Sequence, residues 1–317
     1  MDRFLNQFWQ AYLVNFLFWT SLAQGAVVFA AVLDITNARW GRRYVQLSRY
    51  FAGFLPVGVV LFAVLLLGRN HIFPWIAHAI PGKEAYLNVP FLAARGLLGL
   101  AVLTALSWKF MSETKDRYSD VGRSGASPWS VILVMAFMLV YSVIAIDLIM
   151  SLQPHWHSTL LGAHYAVGSL YLGMAGLCLA GFIKAGVPRD DRQKLCQLVF
   201  GFSLFWVSLL WSQYIVIWYG DVPNETGFVY LRFYQMPWKA VTLLVLALGF
   251  ILPFFSLMSR RAKLIGIVPF FGSVCVFIGL LLEKYGVCCF VRTKFQVFCP
   301  RGQTLTFDIT RTTESHQ

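Results

Sequence analysis

The sequence predicts an all-α, polytopic transmembrane bundle of about eight helices, grouped as two four-helix bundles and followed by an irregular C-terminal tail. Three observations predict it. The 317-residue chain is 58% hydrophobic and only 13% charged, outside the range of ordinary soluble domains, and its mean hydropathy is +0.65. Its apolar residues fall in blocks near or above the ~18 residues that mark a transmembrane helix. Its basic residues crowd into alternate connections between those blocks.

The blocks cover about 8–33, 50–68, 90–111, 128–151, 160–183, 195–218, 239–258 and 264–282. The first is long and mixed, with Asn15 and Gln24 in its body and Asp34 near its end. The connection after it is basic and aromatic, with Trp40 and Tyr44 suited to a membrane interface. Residues 70–90 hold three prolines and two histidines and read as an ordered cap. Pro128 opens the fourth block, at a first-turn position where its missing N–H costs little. The fifth is rich in glycine (Gly162, Gly168, Gly173, Gly176, Gly181), which suits close approach of helices in lipid. The sixth is aromatic, with Trp206, Trp211 and Trp218. Residues 1–284 therefore read as one transmembrane domain. In 285–317 the apolar period is lost, and only short alternating pieces such as Phe295–Phe298 suggest strands.

A net charge of +12 resembles a nucleic-acid footprint until its distribution is read. The odd-numbered connections hold fifteen Lys and Arg residues, from Arg39 and Arg42 through Lys109, Lys115, Lys184 and Arg189 to Lys263. The opposite side holds five: Arg3, Arg69, Lys83, Arg232 and Lys239. This asymmetry places the odd connections in the cytoplasm and the N-terminus outside. The charge then reports topology and attraction to anionic lipid, with no nucleic-acid partner. No cleavable signal peptide is expected, because the first apolar run is too long and lacks a small-residue cleavage site. The six cysteines form no CxxC, CxxCH or iron–sulfur spacing, so no covalent haem and no metal site is expected on this chain.

Four polar side chains inside the apolar blocks are the functional candidates: Arg95, Asp147, His164 and Gln213. A carboxylate within lipid costs about 2.5–3.5 kcal/mol on insertion scales, so Asp147 requires a partner or a wet cavity. Each of the four lies roughly four to five residues from the same end of its block, about 6–8 Å deep, which predicts one outer-leaflet cluster. Singly, each has an ordinary explanation. Arg95 can snorkel, His164 can satisfy a carbonyl, and Gln213 can bond a neighbouring helix. As a set they suit proton exchange with a hydroxyl, His and carboxylate being the usual couple. Asp147, His164 and Arg95 are the proton-transfer candidates, and Gln213, Tyr214 and Trp218 are the ring and head-group contacts expected near a quinol. Asp34, Gln24, Ser21, Tyr141 and Ser142 extend a weaker polar file across the membrane. His155 and His157 alternate without a carboxylate-rich loop, which does not suit a metal. Asn224-Glu225-Thr226 fits the short glycosylation pattern.

Two stretches carry a family resemblance, Asp147-Leu-Ile-Met-Ser-Leu-Gln-Pro-His-Trp-His157 and Trp211-Ser-Gln-Tyr-Ile-Val-Ile-Trp-Tyr-Gly-Asp-Val-Pro-Asn-Glu-Thr226. With Phe16–Trp19, Ala38–Trp40 and Tyr86–Phe91, they resemble the ActF-type integral membrane subunit of alternative complex III, within the NrfD-like, polysulfide-reductase membrane-subunit superfamily. The similarity runs from about residue 8 to residue 285. It implies a bacterial cytoplasmic-membrane subunit of a quinol:cytochrome c oxidoreductase, supporting quinol oxidation and proton conduction without a redox cofactor of its own. Quinol or quinone would lie nearby. The implied partners are a paralogous membrane subunit, an iron–sulfur protein and multihaem cytochrome c subunits that carry the haem and clusters. The chain departs from the family at Leu148, where Trp is usual, and at His157, where an apolar aromatic is common. It also has two helices fewer, one at each end. The rival readings are a secondary transporter with an intramembrane polar site and a purely structural anchor of a redox complex.

Overall fold

The computed structural model describes residues 2–77, 82–117, 126–153, 156–184, 187–221, 226, 233–259, 267–289, 295–298 and 304–307. Pro154, His155, Asn224, Glu225 and most of the tail lie outside them, and with them part of the 147–157 motif and the glycosylation pattern.

Eight helices among the described residues are long and apolar enough to cross a membrane: α1 Phe4–Ile35, α2 Arg39–Leu67, α3 Val89–Thr114, α4 Pro128–Leu152, α5 Leu161–Ile183, α6 Arg189–Gly220, α7 Trp238–Met258 and α8 Ile267–Cys288. All eight expected spans are present. Local chemistry sets their ends. Ser127 caps α4 by accepting from the Trp129 N–H at 3.2 Å, and Pro128 occupies the first turn. Asp221 stops α6 in a left-handed conformation with φ of 43°. The largest departure is at the other end of the chain: α8 continues as helix to Cys289. Glu283 and Lys284, which the sequence leaves just beyond the last apolar block, therefore fall inside this span and are buried.

The helices close two rings, α1–α4 and α5–α8, with α1 and α5 packed against each other at the centre. Accordingly 89% of the apolar window of α1 and 72% of that of α5 are buried, against 22–44% in the other six. Glycine allows this approach. A Cβ at Gly25 would sit 2.0 Å from the Ser169 carbonyl oxygen, and one at Gly173 would sit 2.2 Å from the Ala26 nitrogen. Any larger residue would force the two backbones apart. In α7 a π-helical turn, Ala247–Ile251, shifts the hydrogen-bond register, and the Tyr171 hydroxyl from α5 donates to the Gly249 carbonyl at 3.0 Å. In the tail, residues 295–298 and 304–307 pair as an antiparallel two-stranded ladder.

Candidate functional site

Two polar sites lie toward the face of the bundle on which α1 begins. The expected single cluster of four residues is divided between them. α4 forms the wall: Asp147 lines a groove against α3, whereas Ile149 lines a cavity on the other side. Two residues along an α-helix turn the side chain by about 200°, so one strand of motif serves both sides.

On the α3 side, Arg95 clamps Asp147 through two hydrogen bonds, Nε to Oδ2 at 3.0 Å and Nη2 to Oδ1 at 2.9 Å. The Tyr86 hydroxyl also donates to Asp147 Oδ1, at 2.9 Å. The guanidinium lies 3.9 Å from the Tyr86 ring centroid and 4.0 Å from that of Phe91. Asp147 is 4% exposed. Its backbone carbonyl accepts from Ser151 Oγ, which fastens the turn after the helix. Burial, and next the Asp147 carboxylate, push the phenol of Tyr86, which lies in the connection before α3, up to about 12. In the same connection Lys83 Nζ donates to His157 Nε2 at 2.7 Å. Burial pushes the Lys83 ammonium below its usual range. The site thus fastens the connection before α3 to the end of α4 and the segment beyond it.

The α5 side is built differently. His164 Nε2 meets Glu283 Oε1 at 2.7 Å, and Lys284 Nζ lies 3.7 Å from Glu283 Oε2. All three are buried. A Glu–Lys pair has no net charge, which limits the cost of holding it in lipid. Lys284 Nζ also lies 4.3 Å from the Tyr165 ring centroid. Beneath that ring Ser21 Oγ donates to the Tyr165 hydroxyl at 3.0 Å, and Ser169 Oγ donates to Ser21 Oγ at 3.0 Å. The Tyr165 ring stacks on Tyr141 at 5.5 Å. These groups border a cavity of about 340 Å³, whose wall includes His164, Glu283, Lys284, Gln213, Tyr214 and Trp211. That volume is in the range of small-molecule sites. Gln213 Nε2 donates to Ser158 Oγ at 2.8 Å, and Trp211 stacks on Tyr214 at 5.4 Å.

The structure therefore joins Arg95 to Asp147, and it brings His164, Gln213 and Tyr214 to one cavity. It does not join the two sets: no hydrogen bond among the described residues links Asp147 to His164. Trp218 is 67% exposed and is not part of the cavity wall. The weaker polar file also divides. Ser21 reaches Tyr165, whereas Gln24 donates to Ser107 of α3 at 3.1 Å. Asp34, far along α1, accepts from the Ser127 N–H at 2.8 Å, a structural tie to the start of α4. Ser142 Oγ donates to the Met138 carbonyl of its own helix.

Glu283 and Lys284 were missed by sequence reasoning. The signal was present: Val276, Leu280, Glu283 and Lys284 continue one buried helical face at i, i+4, i+7 and i+8. A search of protein-family models found no match to the chain, and a search of curated proteins found none.

Proposed function

We propose that the chain is the ActF-type membrane subunit of a quinol:cytochrome c oxidoreductase, multi-pass in a bacterial cytoplasmic membrane with its N-terminal face outside. The observation that carries the reading is the buried His164–Glu283–Lys284 cluster in an aromatic-walled cavity near that face. The 147–157 and 211–226 motifs that carry the resemblance supply the walls of this cavity, through Ile149, Trp156, Trp211, Gln213 and Tyr214. The basic residues concentrated in the odd connections support the orientation. In this reading haem and iron–sulfur clusters belong to partner subunits. This chain provides hydroxyl-bonding and proton-accepting groups, and a dry surround, at the outer side of the membrane. The Arg95–Asp147 pair holds the outer connections in place.

A secondary transporter is less well supported. Transporters favour discontinuous helices at corresponding positions in two halves. α2 is interrupted at Gly53 and Phe54, but α6, the second helix of the other ring, is continuous from Arg189 to Gly220.

The test is affinity purification of the tagged full chain from membranes under mild detergent, followed by haem staining and iron analysis. Co-purification of a haem-bearing protein and an iron–sulfur protein is expected. A chain that purifies alone from cells respiring on quinol would contradict the reading. Labelling of single cysteines at position 157 from outside intact cells, but not at 117, is the expected topology result.

A further inference from the structure

We propose that the exposed face of α2 binds an anionic phospholipid, with its phosphate on the basic residues of the first half of the helix and an acyl chain along the apolar residues of the second. The site lies apart from both polar sites described above, and the inference does not rest on the functional reading.

Helical phase builds the face. In the first half of α2, Arg42–Ala52, the side chains of Tyr44, Val45, Leu47, Ser48 and Ala52 are buried, whereas Arg42, Arg43, Gln46 and Tyr50 are exposed and Arg49 is half-buried. At about 100° per residue this second set falls within an arc of about 120°. The arc itself holds no carboxylate. The hydrogen-bond ladder is interrupted at Gly53 and Phe54, but both keep right-handed helical dihedrals, so the phase carries into the second half, Leu55–Leu67. There Val57, Val60 and Leu67 are exposed on the continuation of the same arc. One face thus runs from three arginines to bare aliphatic side chains, the order of a phospholipid read from head to tail.

Neighbouring helices mark the level at which head gives way to tail. The Trp108 Nε1–H of α3 donates to the Ala52 carbonyl at 3.2 Å, and the ring is exposed, as tryptophan is at a headgroup boundary. α5 ends beside Tyr50: Lys184 Nζ donates to the Tyr50 hydroxyl and lies 3.7 Å from its ring centroid. Lys184 thereby adds a fourth cation to the three arginines. Three carboxylates at this end of the bundle are engaged elsewhere. Asp34 accepts from the Ser127 N–H at 2.8 Å, Glu113 accepts from Ser127 Oγ, and Asp190 pairs with Lys194 at 2.6 Å. Guanidinium groups meet phosphate oxygens two N–H groups at a time, and basic clusters beside spans hold anionic headgroups. A free phosphate or an acidic peptide would use the arginines and leave Val57, Val60 and Leu67 uncovered. An acyl chain covers them.

The experiment is native mass spectrometry of the purified full chain, titrated in detergent with phosphatidylglycerol and with phosphatidylcholine of the same acyl chains. The wild-type chain is expected to bind phosphatidylglycerol about tenfold more tightly, since several cations face one net negative headgroup. Arg43→Gln should cut that preference about threefold, and Arg43→Gln/Arg49→Gln should nearly abolish it. Arg189→Gln removes an exposed charge at the same end of the bundle but off this face, and should leave the preference intact. Equal affinity for the two lipids in the wild-type chain, which requires no variant to fold, overturns the proposal. Equal losses in Arg43→Gln and Arg189→Gln would show diffuse attraction to the whole surface and overturn the site. Deacylated glycerophosphoglycerol and inorganic phosphate should fail to displace the lipid at matched concentration. Displacement by either, or by a polyglutamate peptide, would overturn a lipid as the occupant.

Discussion

The two polar sites stand on the same face of the same bundle and use similar residues, yet they differ in their surroundings: aromatic rings over a bidentate charge pair at one, an aromatic-walled cavity at the other. At Asp147 each carboxylate oxygen is engaged, by Arg95 or by both Arg95 and Tyr86, and two aromatic rings flank the guanidinium. At His164 one ring nitrogen is bonded to Glu283, and the residue belongs to the wall of a cavity of about 340 Å³. A charge with its partners inside the protein fastens helices together. A polar cluster on the wall of a cavity is within reach of what enters that cavity. Depth in the membrane, the property the two sites share, does not distinguish these roles.

The sharpest way to break the comparison is to remove Asp147. In Asp147→Ala the Arg95 guanidinium is left largely buried without its carboxylate, at a cost of about 3–5 kcal/mol. The expected result, in unfolding from mixed micelles, is a chain that is strongly destabilised or missing from membranes. A loss under ~1 kcal/mol would show that Arg95 finds another partner and that the latch is not structural. His164→Phe should do less to the fold, since it removes one hydrogen bond and keeps a ring beside Trp206, whose centroid lies 5.7 Å from that of His164. About 1–2 kcal/mol is expected on the same unfolding assay. A loss as large as that of Asp147→Ala would mean that the cavity site is a structural latch as well.

How much of this was legible in the sequence follows from the same contrast. The spans were, because lipid demands long apolar runs and the connections carry the charge. The α1–α5 crossing was half legible: the glycines of α5 signalled close approach, but nothing in the sequence named Gly25 as the residue they meet. Arg95 and Asp147 could be matched by depth and charge. His164 was matched to the wrong carboxylate, because α8 was ended at its last apolar residue. Lys284 neutralises Glu283, so the helix tolerates both inside the membrane, and a hydropathy rule that stops at charges cannot see a pair that cancels. The side of α4 on which each residue falls is a matter of helical phase, and depth alone does not report it.

The smallest expected effect is at Tyr86. Tyr86→Phe removes one hydrogen bond to Asp147 and should cost about 1 kcal/mol or less, because the residue is partly exposed. Its pH dependence adds a sharper signature. Burial, and next the Asp147 carboxylate, push the phenol up to about 12 in the fold, from the ordinary 10.0. The unfolded chain therefore loses this proton first as pH rises, and the stability the phenol contributes, fully present below pH 10, falls between about 10 and 12. Comparison of alkaline unfolding midpoints should show a shallower decline for Tyr86→Phe than for the wild type. Identical slopes would mean that neither burial nor Asp147 raises the phenol in the fold.

The measurement that tests the division into two sites most directly is a double-mutant cycle for unfolding free energy, built from Asp147→Asn, His164→Phe and the double variant. Asparagine keeps the shape of Asp147 and some of its hydrogen bonds, so all three chains have a good prospect of folding. Because the two residues share no bonded partner, the account predicts that the single effects add to within about 0.5 kcal/mol. An interaction energy above about 1 kcal/mol would contradict it and return the four residues to a single coupled cluster.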